Sequence, residues 1–85
     1  MDIQKETNDT NSTLRRYEAR VFNAWVRLML DTGEDNVTGF HDSWAEGRFV
    51  EVLARSRTDA IARLQQDYPD QVGFEISGVR ERREQ

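Results

Sequence analysis

The chain reads as a small α+β domain of order β-β-α-β, a three-stranded sheet with one helix on one face. Three features of the second half predict it. "RFVEVLARS" alternates Val50, Val52 and Ala54 against Phe49, Glu51, Leu53 and Arg55, the period of a strand with one apolar face. "SRTDAIARLQQDY" then changes period, so that Ala60, Ile61, Leu64 and Tyr68 recur every three or four residues. After Pro69 the chain returns to period two, with Val72, Phe74 and Ile76 on one side.

The first element is the ambiguous one. "LRRYEARVFNAWVRLML", residues 14–30, gives a helix with Arg16, Arg20, Asn23 and Arg27 on a polar stripe, or a strand with Phe22, Ala24, Val26, Leu28 and Leu30 inward. Two strands and one helix make too small a sheet to stand alone, so a strand is expected here. The alternative is α-β-β-α-β, with residues 14–30 helical and "NVTGFH" (36–41) supplying the missing strand.

The helix of the second half has clear ends. Ser56 offers an N-cap hydroxyl, Asp59 an acidic group in the first turn, and Pro69 a stop, because the residue before proline avoids the helical region. Strand, helix, strand implies a right-handed crossover if the two strands are parallel neighbours.

Residues 1–13 hold little that can be buried and read as a disordered arm, leaving residues 14–85 as a single domain. The absence of cysteine excludes a disulfide scaffold and thiolate metal sites. With no apolar stretch of spanning length and no basic-then-apolar leader, a cytoplasmic protein without membrane contact is expected, of bacterial or phage type.

Residues 31–47, "DTGEDNVTGFHDSWAEG", form a long loop, the place where function is most expected. Asp31-Thr32-Gly33 resembles the catalytic triplet of retroviral-type aspartic proteases, which implies a dimer whose two aspartates share a proton. The resemblance spans about nine residues; the several strands before the triplet are not matched, and "TGFHDSWAEG" matches the glycine-rich flap only faintly. The triplet is therefore read as a turn in which Gly33 takes a positive φ.

Asp31, Glu34, Asp35, Asp42 and Glu46 lack the alternate spacing of a helix-loop-helix calcium site. His41 is the only histidine, so neither a two-histidine metal site nor a hydrolytic triad is drawn. No cofactor or metal is expected, and no enzymatic activity.

What remains is recognition. Trp25, Phe40, His41, Trp44, Arg27 and Arg48 combine aromatics with arginines, the residue types of protein-binding hot spots. The expected function is a regulatory or interaction module that binds a protein partner through the 31–47 loop and an arginine-bearing face. The alternative is a nucleic-acid-binding accessory protein using the arginine clusters, which a net charge of −4 disfavours. A homodimer is expected as well. A core of this size supplies only about 3–5 kcal/mol, and a stripe of Tyr17, Val21, Trp25 and Met29 facing away from the helix would be left uncovered.

Overall fold

The computed structural model of the protein describes residues 13–83; of the expected arm only Thr13 falls among them. The elements are β1 (Arg15–Asn23), α1 (Ala24–Asp31), β2 (Arg48–Ala54), α2 (Arg57–Asp67) and β3 (Phe74–Glu81), with single 3-10 turns at Asp42–Ala45 and Asp70–Val72. The sheet order is β2-β1-β3, and both pairings are antiparallel. The α+β class and the three-stranded sheet stand as expected. The crossover differs: β2 and β3 run parallel but are not neighbours, because β1 lies between them.

The ambiguous segment contains one element of each kind. It runs as a strand to Asn23 and as a helix from Ala24, with no linker. Asn23 makes the change possible. Its backbone is still extended, its Oδ1 accepts the N–H groups of Trp25 (2.9 Å) and Val26 (3.0 Å), and its Nδ2 donates to the carbonyl of Val72 (3.1 Å). One fully buried side chain thus caps α1 and ties it to the turn before β3. Residues 36–41 form no strand.

The single-strand reading of residues 14–30 also misplaces their faces. Tyr17 and Ala19 point toward α2 and are buried with Ala54, Ala60, Leu64 and Val79; Val21, on the same side of β1, is fully buried as well. Val50, Val52, Ile61, Tyr68 and Ile76 pack around them. The expected outward stripe of Tyr17, Val21, Trp25 and Met29 therefore does not exist, and the argument for a homodimer through it falls. The residues alternating with Tyr17, Ala19 and Val21, namely Arg16, Glu18, Arg20 and Phe22, form the other side of β1.

β3 keeps its apolar residues on the helix side by an irregularity. The register slips between Glu18 opposite Arg80 and Arg20 opposite Ser77, and Gly78 takes φ 65° there, so one extra residue is accommodated. The extra residue reverses the alternation. Phe74 and Ile76 before it and Val79 after it consequently all face inward.

α2 forms as its sequence directs. The Ser56 hydroxyl accepts the Asp59 N–H at 3.1 Å, and Leu64 and Ala60 lie against the sheet. Burying a side chain of the size of Leu64 or Val21 contributes about 1.5–3 kcal/mol each.

Candidate functional site

The 31–47 loop closes one end of the sheet and is ordered by its own side chains. Asp31-Thr32-Gly33 ends α1. The Gly33 N–H donates to Leu30 (3.2 Å), the Glu34 N–H to Met29 (2.8 Å), and Gly33 has φ 80°, which is the left-handed helix stop that glycine adopts most readily. Thr32 Oγ1 adds bonds to the carbonyls of Leu28 and Met29. The triplet is thus a turn after a secondary element, as its residue types suggested.

Asn36 organises the middle of the loop. Its Oδ1 accepts from the Thr38 N–H (3.0 Å), while its Nδ2 donates to the carbonyl of Phe40 and to Asp42 Oδ1, both at 2.7 Å. His41 then caps the 3-10 turn, its Nδ1 accepting the Ser43 N–H at 3.0 Å. That bond engages one ring nitrogen in holding the turn.

These bonds deliver the aromatics to one cluster. Trp44 lies edge-on to Phe74 (5.3 Å between centroids) and tilted against Tyr68 (5.6 Å), and Phe40 packs on Phe74 at 4.9 Å. Trp44 is half-buried, packed by its own loop against the end of the core. The Arg48 guanidinium lies 4.1 Å over its ring and donates to Ser43 Oγ at 2.8 Å. Stacking of this kind adds about 0.5–1 kcal/mol at a solvent-facing site.

On the other side of the sheet Arg27 stacks 3.7 Å over Phe22 and donates through Nε to the carbonyl of Ala45 at 2.8 Å. Arg20 donates to the carbonyl of Glu46. Both arginines therefore brace the loop against β1. Trp25 and Leu28 stay on the outer side of α1, 49% and 62% exposed.

The structure thus joins Phe40, His41, Trp44 and Arg48 in one corner and sets Arg27 and Trp25 on α1 beside it. Phe40 and Trp44 are engaged in packing, and both Arg27 and Arg48 in holding the loop.

A second surface, which the sequence reasoning did not single out, is the side of the sheet away from α2. No helix covers it. Glu18 and Glu51 stand directly opposite each other on β1 and β2, a repulsive pairing unless cations intervene. Arg82 reaches across with Nη1 3.5 Å from Glu18 and 3.0 Å from Glu51, Arg80 lies 3.3 Å from Glu18, and Arg16 lies 3.7 Å from Glu51. On the same face Phe49 is 69% and Leu53 51% exposed. The signal was visible in the alternation of Phe49, Glu51 and Leu53, but its meaning depended on how many helices cover the sheet.

The Asp59 carboxyl is held below its ordinary value. The backbone N–H of Arg55 donates to Asp59 Oδ2 (2.9 Å), and Arg63 adds a bond of 3.1 Å; both favour the ionised form. This is a helix-capping arrangement, remote from the loop. Among the described residues no three of His, Cys, Asp and Glu come close enough to hold a metal ion, and no helix is long and apolar enough to cross a membrane.

Comparison with protein-family models, curated proteins and solved structures finds no match to this chain.

Proposed function

We propose that the protein is a non-enzymatic module that binds a protein partner, using the open face of its sheet together with the adjoining loop corner. The observation that carries this reading is an aromatic and a leucine, Phe49 and Leu53, standing more than half exposed on the edge strand β2, on a sheet face along which no helix packs among the described residues. Apolar side chains ringed by polar ones mark interaction sites. The loop contributes the Arg48 and His41 edge of the corner, with Trp44 as its packed support.

Charge favours a protein over a nucleic acid. The face carries Arg16, Arg20, Arg80 and Arg82, but Glu18, Glu51 and Glu75 stand among them, and the ion pairs leave little uncompensated cation. Phosphate binding rests on unneutralised Lys and Arg. Ion pairs that can be exchanged for those of a partner suit selective protein contact instead.

The test is a photoreactive phenylalanine analogue at position 49 of the chain expressed in its own cells. A single cross-linked protein, lost when the analogue is moved to the far side of the molecule at Gln66, supports the reading. Absence of any cross-link from position 49 overturns it. A cross-link to a second copy, with a light-scattering mass twice the 10.0 kDa of the monomer, makes the partner the chain itself. Salt-sensitive retention of oligonucleotides by the wild type, abolished by Arg16→Glu and Arg80→Glu together, would replace a protein partner with a nucleic acid.

A further inference from the structure

β3 is an edge strand, and its two halves differ. Beyond Ser77 the extra residue at Gly78 twists the edge, and Arg57 Nε donates to the carbonyl of Val79 at 3.0 Å, occupying an outward-facing acceptor. Both are devices that blunt an edge against pairing. Before Gly78 neither is present among the described residues.

The pairing pattern shows which groups that leaves open. The Ala24 N–H donates to the carbonyl of Gly73 at 2.7 Å, so in an antiparallel ladder the residues bonded to β1 are Glu75 and Ser77. Phe74 and Ile76 alternate with them, and their N–H and C=O groups point away from the sheet. Those four groups border a groove of about 610 Å³ between α2 and β3, with Ile61, Tyr68 and Ile76 as its apolar lining. Its ends differ in charge. Asp70 lies at one end without an ion-pair partner among the described residues, and Arg57 lies at the other.

We propose that this half-edge accepts an extended peptide segment as a fourth, antiparallel strand, bonded to the backbone of Phe74 and Ile76. The occupant has an acidic residue beside Arg57 and a basic residue beside Asp70. These flank apolar side chains that enter the groove on alternate positions. From Phe74 to Val79, with one residue taken up by the bulge, the edge rises about 13 Å, which sets the two charges roughly four residues apart, the acidic one first in the chain direction. The site is distinct from the open face, and it stands or falls without it.

Panning a display library of random ten-residue segments against the whole chain tests this. Enriched sequences are expected to share an acidic residue, alternating apolar residues and a basic residue at that spacing. A synthetic copy should shift the amide signals of Phe74 and Ile76, and should lose tenfold or more in affinity when its pairing residues are N-methylated. Arg57→Glu, at an exposed first-turn position where an acidic residue suits the helix, should weaken it comparably. No enrichment, indifference to N-methylation, or a copy that shifts only signals around Phe49 and Leu53 would overturn the proposal.

Discussion

The two faces of the sheet are built from alternate residues of the same strands, yet they work by different physics. On the α2 side, Tyr17, Ala19, Val50, Val52 and Ala54 exclude water and fix which residues are inside. On the other, Arg16, Glu18, Glu51, Arg80 and Arg82 hold one another in a solvated lattice, where each exposed pair contributes little, about 0.2–1 kcal/mol. The fold depends on one face and on the strand-to-helix junction beside it. The other face is free to change, which is what a binding surface requires.

The largest effect should come from the junction. At Gly73, with φ 102°, an added Cβ would lie 2.6 Å from Asn23 Oδ1 and 2.7 Å from Trp25 Cγ. Gly73→Ala should therefore lower stability by about 3–4 kcal/mol, from the left-handed conformation and the overpacking together, as measured by urea unfolding. Asn23→Ala comes next. It removes the α1 cap and leaves the Val72 carbonyl without its donor, a loss of about 2–3 kcal/mol by the same measurement.

On the open face the scale drops. Glu18→Gln weakens two arginine contacts at the most sheltered carboxylate of the lattice and should cost about 1 kcal/mol, with reduced sensitivity of the melting temperature to salt. The acid limb offers a smaller test. Because the Asp59 carboxyl titrates lower in the folded chain than its ordinary 3.8, its contribution is present above about pH 4 and is lost as pH falls through the lower folded value. Asp59→Asn should flatten the fall in stability below that pH, seen in acid titration by circular dichroism. Smallest of all is Phe49→Ser, expected within about 0.5 kcal/mol of wild type, since nothing of the core rests on that ring. A loss of 2 kcal/mol or more there, on the scale of a core truncation, would mean that the open face belongs to the core after all.

The same contrast explains how much was legible beforehand. β2 and α2 were readable because each keeps one period from end to end, and Ser56 and Pro69 bound the helix. In residues 14–30 the period changes at Asn23. Read as one strand, the apolar even positions from Phe22 to Leu30 outweigh Tyr17, Ala19 and Val21 and turn the strand over, although Arg16, Glu18 and Arg20 already mark the wet side. The cue was an asparagine just before Ala-Trp-Val, a residue type that caps helices. The loop corner was partly legible too. Its residues were nameable, but their stacking was not, because Tyr68 and Phe74 lie far from Trp44 along the chain, beyond β2 and α2. The open face needed the count of covering helices, which is a tertiary fact.

The strand order carries one more consequence, in time rather than in space. β1 is synthesised before β2 and β3 but occupies the middle of the finished sheet, so its N–H and C=O groups on both sides must wait for partners that follow it on the ribosome. During that interval the nascent segment could pair with another chain. Arg15, Arg16, Glu18 and Arg20, spaced along the strand, are the kind of charged gatekeepers that suppress such pairing. The lattice that decorates the mature sheet thus also protects the chain while it is still being made.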